Sequence, residues 1–112
     1  MSELVSLLQE LLQPWAVVRA RRMFGGYGLF RDELMFGLMI NDELYLKVDR
    51  QSEAEFAERG LEPFVYHKQG KPVTLSFRQA PAELFDDPDA AVEWAQRAWE
   101  AALRARKPGK KR

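Results

Sequence analysis

The strongest constraint on this chain is a double change in the spacing of its apolar residues. Leu4, Leu7, Leu8, Leu11, Leu12 and Trp15 recur at steps of three and four, one apolar stripe along a helix. Ser2 stands where its hydroxyl can cap that helix, and Pro14 is where it should end. From Val17 the period falls to two: Val18 and Ala20 alternate with Arg19 and Arg21, as in a half-exposed strand. Leu34 to Ile40 reads as a strand and Asn41-Asp42-Glu43 as a turn. Leu44-Tyr45-Leu46-Lys47-Val48 is the return strand of that hairpin, with Leu44, Leu46 and Val48 inward. The helical period then comes back. Ala91, Val92, Trp94, Ala95, Ala98, Trp99, Ala102 and Leu103 fall on one half of a wheel, with Glu93, Gln96, Arg97, Glu100 and Arg104 on the other. Asp87 as N-cap and Pro88 at the first helical position open this helix.

Between the two periods lie shorter signals. Ser52-Glu53-Ala54-Glu55 has the form of a capping box, and Gly60 sits where a left-handed C-terminal cap belongs. Phe64-Val65-Tyr66 reads as a strand and His67 to Pro72 as a polar loop. Val73, Leu75 and Phe77 alternate with polar neighbours in a further strand. The predicted order is helix, three or four strands, short helix, two strands, helix. Short connections favour antiparallel pairing. The expected fold class is α+β in two layers: an antiparallel sheet of five to six strands covered by helices at the N-terminus, middle and C-terminus.

A chain of 112 residues fits one domain. Its net charge of zero hides an asymmetry: Arg104, Arg106, Lys107, Lys110, Lys111 and Arg112 give a basic tail, and residues 1–103 carry a net −6. We expect a folded domain over 1–103 and a disordered tail over 104–112. The absence of cysteine excludes disulfides and thiol catalysis and suits a reducing cytoplasm. Glu3 and Glu10 among the first leucines do not make a signal peptide, and no apolar run spans a bilayer, so the expectation is a cytoplasmic protein with no membrane partner.

Three glycines in four positions, Gly25, Gly26 and Gly28, mark a tight bend, a bulge or a close backbone approach. They do not mark a phosphate site. The dinucleotide and Walker spacings both fail, and strand-like sequence follows where a helix N-terminus is needed. Gly26-Tyr27-Gly28 matches the centre of an RNA-recognition strand. Gly25 replaces the basic residue there, however, and Leu29-Phe30 reverses the aromatic order.

Chemistry-bearing residues are sparse. The one histidine, His67, stands among Lys68 and Lys71 without a carboxylate to orient it. Glu53 and Glu55, like Asp86, Asp87 and Asp89, sit where helix starts favour negative charge. Ser2, Ser6, Ser52 and Ser76 lie in no nucleophile elbow. We therefore expect no catalytic residues, no metal and no cofactor. What remains is binding. Arg19, Arg21 and Arg22 beside the glycine bend, with Phe24, Tyr27, Phe30 and Tyr45, mix arginine and aromatics as hot spots and nucleic-acid surfaces do. The candidate binding set is Arg19, Arg21, Arg22, Phe24, Gly25, Gly26, Tyr27, Gly28, Tyr45 and Lys47. Arg104, Arg106, Lys107, Lys110, Lys111 and Arg112 are the candidate phosphate contacts.

The run from Arg21 to Gly28 resembles the R-x-M-F-G-G-x-G signature of the TfoX/Sxy N-terminal domain. Met35-Phe36, the strand Leu44 to Asp49, Phe64-x-Tyr66, Leu75-Ser76-Phe77, Pro81 and the last helix with Trp94 extend the resemblance over roughly residues 5–103. It implies a two-layer α+β sandwich and a role in transcriptional control of competence genes, alongside a cyclic-AMP-responsive activator. The family's full-length regulators carry a second, C-terminal domain, to which no part of this sequence corresponds. The leading expectation is a non-enzymatic regulatory module that contacts a protein, such as a transcription factor or an RNA polymerase complex. The alternative is direct DNA binding through the tail and Arg19, Arg21 and Arg22. A small enzyme or ligand-binding domain is the third reading, and a homodimer through a sheet face or edge is compatible with each.

Overall fold

A computed structural model describes residues 2–106. In chain order these form α1 (Glu3–Leu11), β1 (Arg19–Met23), β2 (Gly26–Arg31), β3 (Leu34–Ile40), β4 (Glu43–Lys47), α2 (Glu53–Glu58), β5 (Pro63–Lys68), β6 (Lys71–Gln79), a 3-10 helix (Ala82–Asp86) and α3 (Pro88–Ala105). The six strands make one antiparallel sheet in the order β1-β2-β3-β4-β6-β5. This is the α+β class that the periods imply.

Local chemistry explains most boundaries. The Ser2 hydroxyl accepts from the N–H of Leu4 and Val5 and starts α1. Asp87 accepts from the N–H of Asp89, and Pro88 begins α3. Four hairpins turn on two residues each: Phe24-Gly25, Asp32-Glu33, Asn41-Asp42 and Gln69-Gly70 all have positive φ. Such turns match the right-handed twist of the strands they join. Because the last of them uses only Gln69-Gly70, His67 is not in a loop. It lies in β5, exposed, opposite Pro72.

The capping box forms, but not where its sequence pattern stands. Ser52 has helical backbone angles and makes no cap to α2. Instead the Asp49 carboxylate accepts from the N–H of Ser52, and the Ser52 hydroxyl accepts from the N–H of Asp49, both at 3.1 Å. That is the reciprocal pattern shifted three residues upstream. Glu53 and Glu55 are released to pair with Arg78 and Arg97. At the other end, Gly60 at φ +75° donates to Ala57 and Leu61 donates to Phe56, a Schellman closure.

One face of the sheet carries α1, α3 and the main core: Val5, Leu8, Leu12, Leu29, Phe36, Leu44, Leu46, Phe56, Leu84 and the alanines of α3. Those alanines let α3 lie close on β3 and β4. The wheel prediction needs one change, since Ala101 is buried and Leu103 is exposed. A register shift between Leu29 and Phe30 lets Phe36 and Met39 both reach this core.

Among the described residues the other face has no helix on it, yet it is not bare. Leu38, Phe64 and Phe77 are buried there beneath Met23, Met35, Ile40, Tyr45, Tyr66 and Leu75. The sheet curls until Phe24, in the β1–β2 turn, meets Tyr66 and Phe64 of β5 at 4.8 and 6.3 Å between ring centres. The sheet's two edges thus approach each other across a small second core.

Candidate functional site

The glycine segment is the tip and second strand of the first hairpin, and its three glycines do three jobs. Gly25 supplies the left-handed turn at φ +77°. Gly26 packs against β3 so closely that a Cβ there would lie 2.2 Å from the Met39 carbonyl oxygen. Gly28 clears space for two sulfurs, since a Cβ would sit 2.7 Å from Met23 Sδ and 2.9 Å from Met35 Sδ. The motif builds the second core; its geometry is a packing device.

The sheet divides the predicted binding residues. Arg21, Gly28 and Tyr45 share the helix-free face, paired in register through Leu38. Arg21 stacks over Phe30 at 5.0 Å. Tyr45, on β4 three strands further in, packs on Phe64 at 4.9 Å between ring centres. Burial, and then the nearby Glu43, push its hydroxyl pKa up. Lys47 stands over the Phe77 ring at 5.3 Å, and burial lowers its pKa despite Asp49. Tyr27 packs on the helix-covered core instead, with Arg22 as its cross-strand partner. The ten residues are therefore not one patch. Tyr27, Tyr45 and most of Phe24 serve cores, Lys47 is half-buried, and what stays exposed is Gly25 in the turn and the side chains of Arg19, Arg21 and Arg22 on β1.

Among the described residues β1 is an edge strand with no strand beyond it, so these arginines line a free sheet edge. Among the described residues none of the three forms an ion pair, whereas Arg59, Arg78, Arg97 and Arg104 each meet a carboxylate. Arg104 departs from its predicted place in a basic tail. It belongs to the last turn of α3, where its guanidinium grips both oxygens of Asp49 at 2.6 and 3.1 Å. That grip, outweighing burial and aided by Ser52, holds the Asp49 carboxyl down at about 2. Arg106 caps the helix end and is exposed; Lys107, Lys110, Lys111 and Arg112 lie outside the described residues.

Two further clusters had no sequence signal. The Arg31 guanidinium lies between the rings of Trp15 and Trp99, at 4.6 and 5.0 Å. Trp15 also donates its indole N–H to Gln96 at 2.7 Å. Arg59 and Arg97 similarly flank Trp94. Arg97 and Trp94 are neighbours three apart on α3; the other contacts join separate elements, and no spacing rule connects them. Among the described residues no group of three or more His, Cys, Asp or Glu side chains could hold a metal ion, and no helix is long and apolar enough to cross a membrane.

Two known proteins are similar to this chain in sequence. A DNA transformation protein, TfoX1 of Aliivibrio fischeri, is 35% identical over 72 residues, covering 64% of this chain and 34% of that protein. Protein Sxy of Escherichia coli K12 is 28% identical over 96 residues, covering 86% of this chain and 46% of Sxy. The chain thus spans less than half the length of either relative. A family model described as the TfoX N-terminal domain matches residues 10–102, from the end of α1 almost to the end of α3. The chain belongs to the TfoX N-terminal domain family.

Proposed function

We propose that this domain is a non-enzymatic regulatory module of competence-gene transcription that works by protein–protein contact through the β1 edge. One observation carries the reading: Arg19, Arg21 and Arg22 are exposed on a free edge strand, without ion pairs among the described residues, in a fold whose other arginines are largely committed. The family membership supports a competence role, since one relative is named a DNA transformation protein. The domain is cytoplasmic in this reading, and its partner is a transcription factor or an RNA polymerase complex. The histidine supports binding over catalysis, because His67 stands exposed in β5 with no hydrogen-bonded carboxylate among the described residues.

Direct DNA binding is the competing reading, favoured by the same arginines and the basic residues from Arg104 onward. Anisotropy of labelled duplex DNA over a salt series separates the two, using the full chain and a chain ending at Arg106. Cutting after Leu103 would remove the Arg104–Asp49 pair and confuse the result. We expect the shorter chain not to bind at physiological salt. Binding by both chains, with a steep loss as salt rises, would make the folded body a nucleic-acid reader. In parallel, Arg21→Glu should abolish capture of the protein partner and leave the melting curve unchanged. Equal capture by the variant would remove β1 from the contact.

A further inference from the structure

The two edges of the sheet are built differently. β5 starts with Pro63, has a register irregularity between Pro63 and Val65, and is met by Phe24. Proline and irregular pairing are common ways to blunt an edge. β1 has neither. Its five residues pair regularly with β2, from Arg19 opposite Phe30 to Met23 opposite Gly26. Alternate N–H and C=O groups on its outer side are left to pair with something else.

Charge restricts what that can be. Arg21 is the middle residue of β1. A second copy added antiparallel about that residue would set Arg21 against Arg21, and like charges directly opposite are destabilising. Carboxylates opposite the same positions would be favoured, since guanidinium pairs with them bidentately. We propose that the free edge of β1 is a docking strand for an acidic extended segment of a partner protein, which adds antiparallel to it as a seventh strand. This rests on the protein-contact reading above and specifies the partner's chemistry.

The register gives the segment a pattern. Arg22 and Arg21 point to opposite faces, so consecutive acidic residues of the added strand meet them in turn. A small or apolar residue falls opposite Ala20, which is half-buried on the helix side. A third acidic residue meets Arg19, more weakly, because Asp32 and Glu33 share a hollow with that arginine. Continuing, the segment passes Val17, which is 80% exposed, at the rim of an open groove of about 410 Å³ beside Gln9 and Gln13 of α1 and the loop that follows it. An apolar residue there would cover Val17. The pattern is acidic, acidic, small or apolar, acidic, any, apolar.

The probe is a synthetic peptide, Thr-Glu-Glu-Val-Glu-Thr-Val-Thr, titrated into the isotope-labelled full chain at physiological salt. We expect saturable amide shifts confined to Val17–Met23 and the facing part of β2, with slowed exchange at alternate amides of β1. Two versions of the peptide, N-methylated at alternate residues in one phase or the other, keep every charge. One phase should bind like the parent and the other should not. Arg21→Glu should weaken the parent peptide by about tenfold or more. Lack of saturable binding, equal binding by both N-methylated phases, or shifts away from β1 would overturn strand addition. So would duplex DNA that shifts the same amides when the peptide does not. If Arg21→Glu loses partner capture while the peptide fails to dock, the contact reading stands and this one falls.

Discussion

The two faces of the sheet reach burial by different routes. On one, amphipathic helices bring in an aliphatic layer, and Phe36, Phe56, Leu8 and Leu46 are almost wholly removed from water. On the other, the sheet bends over itself, and aromatic rings from the first hairpin and the last two strands close the gap. The first is a core between layers and tolerates exposed outer surfaces on its helices. The second works only if the two ends of the sheet stay together, so its stability is tied to curvature. An uncovered sheet face therefore need not be a docking face, and here the accessible edge is the better place to look.

Substitutions can break or sharpen this contrast. The largest effect is expected at Phe36→Ala, which empties the centre of the helix-covered core. It should cost about 4 kcal/mol in urea unfolding, and a loss under 1 kcal/mol would contradict the placement of that core. Gly26→Val tests how tightly the sheet is packed at the start of the curl. With the Met39 carbonyl 2.2 Å from the new Cβ, β2 and β3 must separate. The cost should be about 3 kcal/mol, at the upper end for overpacking, and an unchanged melting temperature would refute it. A double-mutant cycle of Phe24→Ala and Tyr66→Ala addresses the closure itself. We expect a coupling of about 1 kcal/mol; zero coupling would mean that the rings touch without holding the edges together.

The smallest effect concerns the pair that joins helix layer to sheet. Asp49 sits just after β4, and Arg104 reaches it from α3. Its carboxyl is depressed in the fold, so the stabilisation is present at neutral pH and lost as pH falls from the ordinary carboxylate value through about 2. Asp49→Asn keeps an oxygen for the N–H of Ser52 but not the charge. It should cost about 0.5–1 kcal/mol at pH 7, since the pair is partly exposed. The gap to the parent chain should narrow as pH drops toward 2; a constant gap would assign the cost to geometry rather than charge.

What the sequence revealed follows from how far each signal reaches. Leu34–Ile40 is found residue for residue, because a strand's period and its flanking turns are local. Caps at Ser2, Asp87 and Gly60 are local too, and each forms as its residue type dictates. The box at Ser52 was misplaced because Asp49 competes for the same hydroxyl, and that aspartate is oriented by Arg104, a residue no window around position 52 contains. His67 joins a strand because a two-residue turn leaves four would-be loop residues to pair. At the candidate site, the three arginines and the glycines were legible as a cluster. Their division between two faces was not, since that depends on where β1 sits in the sheet. The insertion of β6 between β4 and β5, which creates the second core, has no local signature at all.

That insertion also sets an order of events in folding. Strands β1 to β4 form a meander closed by three two-residue turns, and each pairing joins near neighbours in the chain. The β5–β6 hairpin is equally local. Only the β4–β6 seam, Tyr45 opposite Gln79 and Lys47 opposite Phe77, closes a long loop, with α2 and β5 inside it. Chain entropy makes such closures slow relative to hairpins. The seam is thus the natural barrier between two preformed ribbons and one curled sheet.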